Sequence, residues 1–298
     1  MEKKKYLNNQ RKLTLKSTYR GLFNEIVLNF RNAVLDDCEF DAQCLLEFCT
    51  GKSRTFLILH SSDIVDEKTA IYLKELCKRR INGEPLQYIL GEWEFMGLSF
   101  YVGKGVLIPR QETELLVETA TERIKGMKSP VIFDLCAGTG CIGLTIANLF
   151  SDSTVYLLEK SDDAFLYLSR NKDKLDIKNA FLVKADIYEG FDSFSLPEPN
   201  IILSNPPYIS AGEIPGLQKE LKYEPYMALC GGEDGLDFYR CLIQKWIPHI
   251  KKGGFAAFEC GENQAEYICN FASNIVQYCE IKKDLNRMNR VVCFHFQS

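Results

Sequence analysis

Apolar positions recur at steps of three and four through the first third of the chain, then give way to short apolar runs. Residues 19–36 carry Leu22, Ile26, Phe30 and Ala33 on one helical face. Residues 41–48 repeat the pattern with Ala42, Leu45, Leu46 and Cys49, and Gly51 supplies a stop. Residues 66–81 predict a third helix, with Ala70, Leu73, Leu76 and Cys77 as its apolar stripe. Its last turn holds Lys78, Arg79 and Arg80, cations that suit the negative end of a helix dipole. Asn82-Gly83 and Pro85 then end it. Between residues 88 and 109, aromatic and β-branched residues flank Met96-Gly97, which predicts a hairpin.

Beyond Pro109 strand-like and helix-like segments alternate. Strands are expected at 131–136, 154–158, 181–185, 200–204, 254–259, 276–281 and 291–296, with helices including 112–125, 142–150 and 236–251. Such alternation specifies an α/β fold, a mostly parallel sheet covered on both faces. No helix separates the last two strands, so an antiparallel addition at one edge is expected. The chain accordingly divides into helical residues 1–84, a hairpin linker over 85–110 and a Rossmann-like sheet domain over 111–298.

Composition changes this picture little. With 298 residues, 46% hydrophobic and 26% charged, the chain is an ordinary globular protein rather than a disordered one. The net charge of -4 gives no global attraction for nucleic acid; Lys3-Lys4-Lys5 and Arg11-Lys12 are the N-terminal candidates for a cationic face. The 12 cysteines include no Cys-x-x-Cys pair, and His60, His249 and His295 are far apart, so no metal site is expected. No leader-like apolar stretch follows the basic N-terminus, and no apolar run matches a membrane span. Reduced thiols in a cytoplasmic protein are therefore expected.

The chemistry concentrates where strands end. Asp134-Leu-Cys136-Ala137-Gly138-Thr139-Gly140-Cys-Ile-Gly143 follows a strand and opens a helix. In open α/β sheets ligands bind at the carboxyl ends of strands, beside the point where strand order reverses. Gly138 to Gly143 also fits the dinucleotide pattern, with Glu159 near the expected ribose acid, so a nicotinamide oxidoreductase is one reading. Asp134 argues otherwise: its carboxylate repels a pyrophosphate but suits the amino group of S-adenosylmethionine, which has no phosphates. Glu159, closing the next strand, can accept both ribose hydroxyls. Asp186 closes the third strand and can lie beside the adenine.

Asn205-Pro206-Pro207-Tyr208 follows the fourth strand directly. Two prolines make a stiff extended loop at the ligand end of the sheet. A planar amide or amine nitrogen is a poor nucleophile; the Asn205 oxygen and the Pro206 carbonyl can accept its two N–H groups and fix its direction. Tyr208 can stack on the planar target. Amide, adenine N6 and cytosine N4 nitrogens all meet this description.

Dispersed segments narrow the choice. Gly83-Glu-Pro-Leu-Gln-Tyr-Ile-Leu-Gly91, Val106-Leu-Ile-Pro-Arg-Gln-Glu-Thr-Glu114, Ser204-Asn-Pro-Pro-Tyr-Ile209 and Tyr223-Glu-Pro225 resemble the release-factor glutamine methyltransferases. Ala228-Leu-Cys-Gly-Gly-Glu-Asp-Gly-Leu236 and Glu259-Cys-Gly-Glu-Asn-Gln264 extend the resemblance over nearly all the chain after residue 18. The resemblance implies a helical N-terminal domain, a hairpin linker and a seven-stranded methyltransferase domain; with no acid, base or phosphate-type loop evident before residue 83, the N-terminal helices are expected to dock substrate rather than to catalyse. It implies S-adenosylmethionine as cofactor and, as substrate, the glutamine of the Gly-Gly-Gln motif in class 1 peptide chain release factors; the acidic charge and the lack of a membrane-length apolar run add the expectation of no direct nucleic-acid binding and no membrane. Carried over by position, the cofactor contacts are Cys136 to Gly140, Glu159, Ile187 and Asn205, and Asn205 to Tyr208 hold the glutamine. Three residues depart from the family pattern: Cys136 for the usual glycine, Glu159 for the commoner aspartate, and Gln111 for a frequent proline.

Overall fold

The computed structural model describes residues 17–297, and these form two compact units divided between Leu90 and Gly91. The basic clusters at Lys3-Lys4-Lys5 and Arg11-Lys12 lie outside the described residues.

The first unit is helical: α1 (Tyr19–Asn32), α2 (Cys38–Thr50), α3 (Arg54–Leu59), α4 (Glu67–Ile81) and α5 (Leu86–Leu90). Its core gathers Leu22, Phe30, Leu45 and Leu73, all fully buried. Local signals set the ends. Thr18 caps α1 by accepting from the Gly21 N–H, Asp66 caps α4 by accepting from Thr69, and Gly51 ends α2 in the left-handed region. Helix α1 stops at Asn32, four residues before the expected end. Arg80, near the end of α4, is buried against Asp41 of α2 at 2.6 Å, so it serves the core more than the dipole. The short helices α3 and α5 carry too few turns for periodicity to reveal them.

The second unit opens with the hairpin β1 (Glu92–Phe95) and β2 (Leu98–Tyr101), joined through Met96 and Gly97, both at positive φ. A seven-stranded sheet follows, built from β3 (Val131–Leu135), β4 (Thr154–Glu159), β5 (Ala180–Lys184), β6 (Ile201–Ser204), β7 (Phe255–Glu259), β8 (Tyr278–Lys283) and β9 (Asn289–His295). Its order is β5-β4-β3-β6-β7-β9-β8, with β3 to β7 parallel and the last two strands antiparallel. All seven expected strands are present within a few residues. Helices α6 (Glu114–Ile124), α7 (Cys141–Leu149), α8 (Asp162–Lys174), α9 (Tyr226–Leu229), α10 (Asp237–Lys245) and α11 (Ala265–Ala272) complete the unit. Two apolar clusters form, one around Leu116, Ile132 and Leu144, the other around Phe133, Leu242, Trp246 and Phe258. Alternate residues of β3 point into different clusters, as a sheet covered on both faces requires.

Two expectations are corrected. The helix expected at 236–251 ends at Lys245, because Pro248 has no N–H and clashes with a continuing turn; residues Ile247–His249 form a separate 3₁₀ turn. The thiols are not all reduced: Cys269 on α11 and Cys279 on β8 are joined in a disulfide. The turn from α11 into the edge strand brings them to 5.7 Å between Cα atoms, a proximity that spacing alone does not reveal.

Candidate active site

Strand order reverses between β3 and β6, and the glycine loop and the tetrapeptide leave these two adjacent strands at their carboxyl ends. The Ser204 hydroxyl donates to the Leu135 carbonyl at 2.6 Å, locking the two strand ends together just before both loops begin. A cavity of about 380 Å³ opens here. Its wall includes Cys136, Ala137, Gly138, Thr139, Glu159, Asp186, Ile187, Asn205 and Pro207 from the expected set.

The glycine loop is shaped by sterics and by one carboxylate. Gly140 lies at φ +82°, and a Cβ there would meet Leu168 Cδ1 at 2.4 Å. At Gly143 a Cβ would sit 2.6 Å from Leu157, so this glycine lets α7 approach the sheet. Glu159 accepts from the Gly138 N–H at 2.8 Å and from the Ser161 N–H at 2.7 Å. It is 8% exposed, and burial raises its pKa against the pull of those N–H groups. Cys136 adopts φ +63°, the left-handed region that glycine enters without cost.

Asp186 accepts from the Tyr188 N–H at 3.0 Å and pairs with Lys160 at 2.7 Å. The Ile187 carbonyl accepts from the Trp246 indole at 2.8 Å and the Cys241 thiol at 3.2 Å, so α10 fixes this stretch of wall. Asp134 and Gly140 are not on the wall. The Asp134 side chain is fully buried and accepts from the Gly143 N–H at 2.8 Å, while Oδ1 has no partner among the described residues. Burial pushes its pKa up to about 7.

Asn205 also lines a second, smaller slot of about 150 Å³, together with Pro206, Tyr208, Arg110 and Glu259. The Asn205 amide nitrogen donates to the Thr113 hydroxyl at 3.1 Å, and Thr113 donates to Glu259 Oε2 at 2.6 Å. The other oxygen of Glu259 lies 3.5 Å from the Tyr208 hydroxyl. Burial pushes Glu259 up to about 7, although Thr113 and the cation of Arg290 both favour its charge. The Tyr208 carbonyl is held by Gln264 Nε2 at 2.8 Å. Glu224 accepts from the Ile108 N–H at 3.0 Å and from the Arg110 guanidinium, pinning the segment before α6 to the loop after the tetrapeptide.

Thr113, Glu259, Arg110 and Glu224 have no role in the motif-based expectation. The available signal was an acid closing β7 at the same level as Glu159 and Asn205. Among the described residues, no cluster of acidic, histidine or cysteine side chains could hold a metal ion, and no helix is long and apolar enough to cross a membrane.

Known proteins share both units. Residues 22–91 match the PrmC N-terminal domain family and residues 110–220 the methyltransferase small domain family. The release factor glutamine methyltransferase of Clostridium acetobutylicum is 39% identical over 85% of this chain and 89% of its own length. That of Thermodesulfovibrio yellowstonii is 39% identical over 79% and 85%, and that of Aquifex aeolicus 32% identical over 85% and 89%. Among solved structures, a methyltransferase from Pyrococcus furiosus aligns with a TM-score of 0.50 at 18% identity, over 68% of this chain and 91% of that one. The 16S rRNA N2 G1207 methyltransferase of T. thermophilus, solved with AdoMet and guanosine, aligns at 0.52 and 17% identity, over 69% and 50%. At such identities the two structures share the fold alone.

Proposed function

The chain belongs to the release factor glutamine methyltransferase family, and on that premise we propose that it transfers a methyl group from S-adenosylmethionine to the side-chain amide nitrogen, N5, of the Gly-Gly-Gln glutamine in class 1 peptide chain release factors. The observation that carries this reading is the position of Asn205, which lines both the larger cavity and the narrow slot. Its side chain stands where a methyl donor in one and a target nitrogen in the other would meet.

The larger cavity fits the cofactor by its chemistry. Glu159 offers an anionic acceptor for ribose hydroxyls, and Leu158, Ile187 and Phe238 give apolar wall for a purine. The cation on that wall nearest to Asp186, Lys160, is already paired with it, so no cradle for a pyrophosphate is formed there. When bound, the cofactor supplies an electrophilic methyl group on sulfur. What remains for the protein's own residues is to hold a weak nucleophile in line. Asn205 Oδ1 and the Pro206 carbonyl accept the two N–H groups of the amide, and those bonds strengthen as the nitrogen gains positive charge. The stiff Pro206-Pro207 pair keeps these acceptors fixed before substrate arrives, and Tyr208 covers the amide plane. Loss of a proton after transfer requires no histidine.

A slot of about 150 Å³ has room for a glutamine side chain presented by an extended loop, and the family membership favours that target over a flipped base. The nicotinamide reading gives way to the methyltransferase family. A cytoplasmic site of action follows from the proposed substrate. The test is incubation with labelled S-adenosylmethionine and a release factor, then mass spectrometry of the modified peptide. A single methyl group on the glutamine amide is expected, and Asn205→Ala should abolish it without loss of the folded state. Methylation of DNA or RNA with no reaction on a release factor would overturn the assignment.

A further inference from the structure

An asparagine side chain has two nearly isosteric faces, and only one serves this reaction. With Oδ1 toward the slot it accepts from the substrate amide; turned over, it sets its own NH₂ against the N–H groups it should hold. Shape does not select between the two, because the faces differ by a few hydrogens. A hydrogen-bond partner of fixed polarity is needed.

Thr113 and Glu259 supply it. A threonine hydroxyl has one hydrogen to give and two lone pairs. At 2.6 Å from Glu259 Oε2 that hydrogen is committed to the carboxylate at pH values above about 7, where Glu259 is ionised and can only accept. The lone pairs are therefore what Thr113 presents to Asn205 at 3.1 Å, and only the NH₂ face satisfies them. Both partners are nearly solvent-free, Thr113 and Glu259 each 1% exposed, so no water competes for the choice. The three residues come from separate parts of the chain: the turn before α6, the end of β6 and the end of β7. We infer that Thr113 and Glu259 are positioning residues, which act through Asn205 by fixing its amide with the oxygen toward the substrate nitrogen. The same carboxylate reaches the Tyr208 hydroxyl at 3.5 Å, so one buried group addresses both ends of the tetrapeptide.

The inference rests on the amide-methylation reading, and its test separates the two. Thr113→Val removes the hydroxyl while keeping the branch; Thr113→Ser keeps the hydroxyl. Misplacing the acceptor should lower kcat on the release factor by on the order of 10²-fold in Thr113→Val, with KM and cofactor affinity changed far less. Thr113→Ser should recover most of that loss. Glu259→Gln puts a group there that can offer either hydrogen or oxygen, so it removes the bias rather than the contact. It should lower kcat in the natural chain and add little in the Thr113→Val background, since both act on one amide. Independently of any substrate, the ¹⁵N-labelled side-chain NH₂ of Asn205 should show one hydrogen protected from exchange, lost in Thr113→Val and kept in Thr113→Ser. If Thr113→Val does not fold, Thr113→Ala takes its place in every comparison. Unchanged kcat in the hydroxyl-free variant, additive losses in the double variant, or an Asn205 signal indifferent to the hydroxyl would each overturn the inference. A wild-type enzyme that leaves release factors unmodified overturns the substrate reading alone, and the Asn205 signal still decides the positioning role.

Discussion

At the scale of single residues, Glu159 shows how one carboxylate can serve both the protein and a ligand. Its two oxygens take the N–H groups of Gly138 and Ser161, which hold the glycine loop and the turn after β4 in place. Each oxygen keeps a further lone pair for a ribose hydroxyl. Glu159→Gln leaves one oxygen and sets an NH₂ against a backbone N–H. The expected result is cofactor binding weaker by about 1.5–3 kcal/mol, the range for hydrogen bonds to charged groups; calorimetry giving unchanged affinity would refute the ribose role. Cys136 explains one departure from the family pattern. Its φ of +63° is the conformation that makes glycine the ordinary choice there, and a side chain costs roughly 1–2 kcal/mol in that region. The chain tolerates the thiol because the cavity gives it room on the wall.

At the scale of elements, Asn171 on α8 joins two structures distant in sequence. Its Nδ2 donates to the Thr139 carbonyl in the glycine loop at 2.9 Å and to Tyr101 in the hairpin at 3.1 Å, while its oxygen accepts from the Tyr101 N–H at 2.6 Å. Asn171→Ala strands the buried Thr139 carbonyl, at about 1–3 kcal/mol, and removes the part-buried bonds to Tyr101. A lowered melting temperature and weaker cofactor binding should appear together; loss of stability with full affinity would show that the loop does not depend on this tie. Nothing in the sequence pattern singled out Asn171, because a polar residue on a helix reads as solvent-facing until its neighbours are known. The parallel strands were legible because they are mostly apolar runs near glycine, proline or acids, while β8 mixes Glu280, Lys282 and Lys283 with its apolar residues; the glycine loop and tetrapeptide were legible because they fall at strand ends. Asp134 illustrates the limit. Its place at the end of β3 is visible in the chain, yet the direction of its carboxylate depends on the close approach of α7 that Gly143 permits. Thr113 and Glu259 were hidden for the same reason: 146 positions separate them, and only the sheet brings them together.

At the scale of the whole molecule, every residue on the cavity wall lies at or beyond Gly105, within the second unit. The helical unit has its own core, and we propose that it docks the substrate. A chain starting at Gly91 should bind S-adenosylmethionine normally but methylate an intact release factor poorly, as titration and initial rates would show. Full activity of that shortened chain would remove the docking role. The sheet's antiparallel end bears on how the enzyme is made. Strand β9 follows β8 in the chain but lies between β7 and β8, and β8 pairs with β9 alone. On a ribosome, then, β7 emerges with Glu259 at its tip and waits through the synthesis of α11 and β8 for its neighbour. The Cys260 N–H, next to Glu259, is bonded only when the Arg290 carbonyl arrives. The last strand of the sheet to be synthesised thus pairs with β7 up to Glu259, opposite Val291, and a chain that stops short of β9 leaves that side of β7 unpaired beside the tetrapeptide.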